Sequence, residues 1–302
     1  MQLPLDEGPE DLRKLMAEIG PRWAQDPRRH VEMTLDAYAA LLAGVSNEGV
    51  EATRDLAYGD HPRQVLDVFR PQVAARAPVI VFVHGGAFVR GDKRARPEIY
   101  DNVLQYFARH GLVGVNVEYR LAPEATFPEG ARDVSQAVAW IEREIAAYGG
   151  DPKRIFLFGH SAGGTHVATY AFDRTAIPER SASVAGAILA SARVRADVLP
   201  DNPNAEAVRA YFGADASLYE ARSPVTHAHD AALPVFVVIA EYENPYLDVY
   251  GAELLHALSR ARKRAPRFLR LTRHNHISLV AHFNAGEEIL GREILDFIER
   301  GC

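Results

Sequence analysis

A chain of 302 residues with 48% hydrophobic and 25% charged residues has the make-up of an ordinary globular protein, which excludes disordered and fibrous classes. The balance of 34 basic against 40 acidic residues, a formal charge of -6, leaves no electrostatic footprint for nucleic acid or an anionic membrane surface. One cysteine, Cys302, forbids internal disulfides and thiolate metal clusters, and an acidic amino terminus without an apolar run leads to the expectation of a cytoplasmic chain with no membrane span.

Between residues 11 and 44, Leu12, Leu15, Met16 and Ile19, then Met33, Leu35, Tyr38, Leu41 and Leu42, recur at helical spacing around a break at Gly20-Pro21. Two short amphipathic helices are expected there. Residues 53–58 and 64–69 alternate around Gly59-Asp60-His61-Pro62, the pattern of a β-hairpin. Residues 79–83 are continuously apolar and mostly β-branched, as a strand buried on both faces should be. Similar runs follow at 112–117, 155–158, 187–190 and 235–240, with a short strand at 268–272. Helical patterns fill 97–110, 131–148, 162–173 and 247–261, and a last helix is expected at 285–300. Strands alternating with helices predict a parallel sheet in a doubly wound α/β plan.

Residues 193–233 break this rhythm, being rich in Ala, Asp, Asn and Pro and helical only in pieces. A connection of that length reads as an insertion covering a pocket. The basic run at 260–270 reads as a solvated helix end, where cations favour the negative pole of the dipole.

Gly159-His160-Ser161-Ala162-Gly163 stands between a predicted strand and a predicted helix, the context that the nucleophile-elbow motif requires. Glycines flank the serine because the turn is too sharp for side chains. The following helix aims N–H groups at any oxyanion formed there. His84-Gly85-Gly86-Ala87-Phe88 ends the strand at 79–83, and small residues there let the backbone approach a reacting carbonyl. The N–H groups of Gly86, Ala87 and Ala162 are the expected oxyanion hole. His84 precedes that hole and is expected to organise the loop by hydrogen bonds.

Through these motifs the chain resembles the α/β-hydrolase esterases of the hormone-sensitive-lipase-like type, overlapping with the kynurenine-formamidase-like branch. The resemblance rests on His84 to Asp92, Tyr119 to Pro128, the stretch ending at Gly164 and Asn275 to Leu279, and it covers the chain from about Leu66. It implies a mostly parallel eight-stranded sheet flanked by helices, a lid at residues 1–50, a catalytic domain at 51–302 and a cap near 193–233. Ala87 in place of a third glycine and His160 before the serine depart from the lipase-like pattern and lean to the formamidase side.

The chain order serine, acid, histidine places the base after the last strand, where His274, His276 and His282 stand. The resemblance selects His276. The acid should follow the strand at 235–240, where Glu241, Glu243 and Asp248 are available, and the resemblance aligns Glu243 with the usual aspartate. The pairs His227/His229 and His274/His276 suit a metal in principle, but a metal site would leave the elbow without a purpose. Neither metal nor other cofactor is expected. The expected activity is hydrolysis of small carboxylic esters through an acyl-enzyme, with an arylformamidase-like amide hydrolase and a non-catalytic binding protein as rivals. The partner is a small-molecule ester or amide, with a homodimer allowed. Phe88 and Tyr211 or Phe212 are expected to line an acyl pocket roofed by the N-terminal helices and the insertion, the alternative being that these helices pack on the flank of the sheet and never meet substrate.

Overall fold

The structure, a computed structural model, describes residues 9–301, so Cys302 and the acidic residues 1–8 lie outside the described residues. The apolar runs form one sheet of eight strands, β1 (Val50–Ala57), β2 (Val65–Pro71), β3 (Ala77–Val83), β4 (Val113–Val117), β5 (Gly150–His160), β6 (Val184–Ala190), β7 (Val235–Tyr242) and β8 (Arg267–Asn275). Their order is β1-β2-β4-β3-β5-β6-β7-β8. The hairpin β1–β2 and the β2–β4 pair are antiparallel, and every other pairing is parallel.

Ten helices complete the described chain: α1 (Glu10–Ile19), α2 (Pro27–Leu42), α3 (Asp101–Arg109), α4 (Glu129–Glu144), α5 (Ala162–Phe172), α6 (Ala205–Phe212), α7 (Tyr219–Arg222), α8 (Leu247–Arg262), α9 (Ser278–Ala281) and α10 (Ile289–Arg300). Successive strand residues point to opposite faces, so Val79, Val81 and Val83 join the core beneath α4, α5 and α8. Ile80 and Phe82 join the second core beneath α3 and α10. Two expected helix starts are corrected. The helix expected from residue 97 begins at Asp101, because Tyr100 takes a left-handed φ of 75° that a helix cannot include. That expected from 285 begins at Ile289, after Gly286 at φ 95°.

The N-terminal helices bury their apolar stripe in that second core rather than forming a separate layer. Leu12, Met16, Ile19, Trp23, Leu35, Tyr38 and Leu42 are all buried there, with Phe82 and Phe158 in the same cluster. Each such side chain is worth about 1.5–3 kcal/mol when fully buried, which ties residues 9–42 to the catalytic body. Among the described residues no helix is long and apolar enough to cross a membrane.

Candidate active site

Ser161 sits between the end of β5 and the start of α5 with φ 54° and ψ -119°, outside the ordinary allowed regions for a residue with a side chain. The packing that holds it there needs Gly163: a Cβ at that position would lie 2.1 Å from the carbonyl oxygen of Val83. Ser161 N–H donates to the Ala190 carbonyl at 3.0 Å, fastening the turn to the tip of β6.

His276 follows β8 and reaches the serine, with Nε2 3.0 Å from Ser161 Oγ. Its Nδ1 lies 2.8 Å from Glu243 Oε2. A carboxylate only accepts, so Nδ1 carries the proton and Nε2 offers its lone pair to the serine hydroxyl. The other Glu243 oxygen, Oε1, accepts from Ala240 N–H at 2.9 Å and from the Ser191 hydroxyl. The imidazole backbone is held too: His276 N–H donates to Tyr242 O at 3.0 Å, and its carbonyl accepts from His160 Nε2 at 2.9 Å. His160 is completely enclosed, and burial first, then the charge of His276, holds it well below the ordinary histidine range. Beside His276 it is therefore a neutral ring.

The loop after β3 closes over the same hydroxyl. A Cβ on Gly85 would lie 3.0 Å from Ser161 Cβ and 3.4 Å from the His160 carbonyl oxygen, so the loop packs directly against the elbow. Gly86 has φ 142°, and a Cβ there would sit 1.8 Å from the Arg90 carbonyl oxygen. No hydrogen bond among the described residues uses the N–H of Gly86, Ala87 or Ala162. Beneath the loop His84 has Nδ1 2.6 Å from the Gly85 carbonyl and Nε2 3.1 Å from Glu118 Oε1. Lys93 N–H donates to Glu118 Oε2 at 2.7 Å, and Arg63 pairs with Oε1. Burial alone would raise the Glu118 carboxyl, but His84, Arg63 and the Lys93 N–H together hold it below its ordinary value.

The remaining candidates are placed elsewhere. Asp248 is exposed on the first turn of α8, and Glu241 accepts from Arg273 N–H at 2.5 Å. His274 bonds Ser278 Oγ at 3.1 Å and Glu287 at 2.9 Å, while His282 lies one turn beyond, buried. His227 faces Ala221 O at 2.8 Å and Asp173, and His229 faces Thr226 O, so neither His-x-His pair converges on one point. Phe88, Tyr211 and Phe212 correct the expected pocket lining. Phe88 stacks on Tyr211 at 4.6 Å and meets Phe212 edge-on at 5.5 Å, and all three are buried in a closed cluster rather than facing an opening. Phe88 and Tyr211 cover one face of each other, Phe212 meets both edge-on, and all three rings are withdrawn from solvent. Sequence reasoning missed Ser191, which directly follows β6, and Trp23, Thr34 and the structural side of Asn275; no local sequence signal marks any of them.

Comparison with known proteins follows this geometry. A family model described as BD-FAE matches residues 66–179, the span from β2 through Ser161. A probable isoprenylcysteine alpha-carbonyl methylesterase of Arabidopsis thaliana is 30% identical over 201 residues, 65% of this chain and 42% of the relative. Esterase LipQ of Mycobacterium tuberculosis is 32% identical over 209 residues, 63% of this chain and 48% of its own. The chain thus spans less than half the length of these curated relatives. A hyperthermophilic esterase from the archaeon Pyrobaculum calidifontis aligns over 98% of both chains with a TM-score of 0.71 and 24% identity, a likeness of fold.

Proposed function

We propose that this chain, similar in sequence and fold to α/β-hydrolase esterases, hydrolyses small carboxylic esters through an acyl-enzyme on Ser161. The observation that carries this reading is the unbroken line Glu243–His276–Ser161, with contacts of 2.8 and 3.0 Å, ending on a serine in a strained turn.

In this reading Ser161 Oγ attacks the acyl carbonyl as His276 Nε2 takes its proton. The carbonyl oxygen becomes an oxyanion received by the N–H groups of Gly86, Ala87 and Ala162, none of which is engaged in another hydrogen bond among the described residues. Glu243 keeps the proton on Nδ1 and stabilises the imidazolium, while Ser191 and Ala240 hold the carboxylate still. A neutral His160 at 4.8 Å between ring centroids spares that imidazolium a like-charge neighbour. His276 returns the proton to the leaving alkoxide, and a water activated by the same nitrogen releases the acid. Formamide hydrolysis would use the same groups; the esterase names of the relatives favour an ester. All residues in the scheme come from one chain, so it holds equally for a monomer and a homodimer.

The test is a panel of p-nitrophenyl acetate, butyrate and octanoate beside N-formylkynurenine, run on wild type and Ser161→Ala. Ester turnover should fall on the order of 10⁶-fold in the folded variant. Near wild-type ester turnover in Ser161→Ala would overturn the mechanism, and faster cleavage of the formamide would move the substrate class.

A further inference from the structure

The N-terminal segment touches the residues on both sides of Glu243 and the residue just before His276. The 3-10 turn between α1 and α2 (Gly20–Gln25) brings Gly20 against the ring of Tyr242, where a Cβ would lie 2.3 Å from Cε2. Trp23 Nε1 donates to Asn244 Oδ1 at 2.9 Å. These two contacts flank Glu243 in sequence. Asn275, immediately before His276, is buried and has every polar atom committed. Its Oδ1 accepts the N–H of Ile277 at 2.9 Å and of Ser278 at 2.8 Å, which folds the turn carrying His276. Its amide donates to Thr34 Oγ1 on α2 at 3.0 Å and to Met16 Sδ on α1 at 3.2 Å. Thr34 in turn donates to His30 O at 2.7 Å, so its oxygen is oriented to accept.

We propose that α1, the following turn and α2 form a brace that sets the distance between Glu243, His276 and Ser161, with Thr34 and Trp23 as positioning residues for the hydrolysis. The inference rests on the reading of these three as nucleophile, base and acid. Neither Thr34 nor Trp23 touches the reacting atoms; each fixes a backbone segment one residue away from a reacting side chain. Misplacement of a catalytic group by a fraction of an ångström is felt in the chemical step before it is felt in substrate binding. The brace therefore acts on kcat rather than on KM.

The experiment uses the full-length protein with p-nitrophenyl butyrate, active-site titration by a p-nitrophenyl phosphonate, and the variants Thr34→Val, Thr34→Ser and Trp23→Phe. Thr34→Val keeps the shape and removes the acceptor of Asn275; kcat per titrated site should fall on the order of tenfold with KM changed less than about twofold. Thr34→Ser should restore kcat. Trp23→Phe keeps a ring without the donor and should lower kcat by a smaller factor, and it decides the matter alone if Thr34→Val fails to fold. Unchanged kcat per titrated site in the folded variants would overturn the brace, as would equal losses in Thr34→Val and Thr34→Ser. Ser161→Ala runs in the same assay: if it is inactive while the brace variants are normal, only the brace fails, whereas an active Ser161→Ala removes the mechanism beneath it.

Discussion

Two carboxylate–imidazole pairs flank the same serine and are put to different use. His84 and Glu118 lie under the oxyanion loop, and His276 and Glu243 lie across from it. Both ring nitrogens of His84 face oxygen acceptors, the Gly85 carbonyl and the Glu118 carboxylate, and the side chain is completely buried. Only one nitrogen of His276 faces an acceptor; the other faces a hydroxyl that has a proton to give. A carboxylate neighbour therefore does not make a histidine a base. What matters is whether the far nitrogen meets a donor, and whether that donor is reachable: Ser161 is partly exposed, while the Gly85 carbonyl is part of a closed loop.

The strongest way to break this contrast is to remove the acid from the reacting pair. Glu243→Gln should leave the fold intact and lower kcat by about 10⁴-fold, since the imidazole loses the acceptor that fixes its tautomer. Asp248→Asn, on an exposed helix turn, should change kcat less than about twofold, and a larger loss there would transfer the acid's role. Removing the other carboxylate should act differently. Glu118→Gln strips the partner from His84 and from Arg63, so stability should fall by about 3 kcal/mol on urea denaturation. Its kcat should drop only about 10-fold to 100-fold, through a loosened oxyanion loop. Equal kcat losses in Glu243→Gln and Glu118→Gln would erase the distinction.

The smallest effect concerns a third set, histidines with no carboxylate bonded to them. His160 bonds a carbonyl, His166 the Tyr211 hydroxyl at 3.2 Å and His282 the Ser278 carbonyl at 2.9 Å. Burial, as the main cause, pushes His166 down to about 3 and His282 to about 4, and holds His160 well below 6.5. Unfolded, each titrates near 6.5, so below that pH the unfolded chain binds more protons than the folded one. Their contribution is full at pH 7 and is lost as pH falls from about 6.5 toward 4, by up to about 1.4 kcal/mol per pH unit for each group. Urea midpoints at pH 7, 6 and 5 should fall accordingly, and His282→Gln should flatten the slope by about one proton. An unchanged slope would mean that His282 is not held neutral by the fold.

How much of this was legible in the sequence depended on how local each cause is. The elbow around Ser161 is written in five consecutive residues, since strand, sharp turn and helix each leave their own pattern. The parallel strands were legible for the same reason: burial on both faces needs unbroken apolar runs. Ser191 was not, because its hydroxyl meets Glu243 only after β6 and β7 become neighbours in the sheet. Thr34 and Trp23 act across 241 and 221 residues, and nothing in either segment's composition announces a partner so distant. Phe88, Tyr211 and Phe212 were legible as apolar residues near the site, but whether aromatic rings face a ligand or one another is decided by packing alone.

That aromatic cluster couples the insertion mechanically to the loop after β3. Phe88 belongs to the loop carrying the oxyanion N–H groups, and Tyr211 and Phe212 end α6 in the insertion above it. Ala122 N–H donates to Phe88 O and Phe127 N–H to Tyr211 O, so a third segment is sewn to both. The insertion is thereby joined to the loop proposed to receive the oxyanion. A substitution in α6 that repacks this cluster is therefore transmitted through Phe88 to the loop after β3.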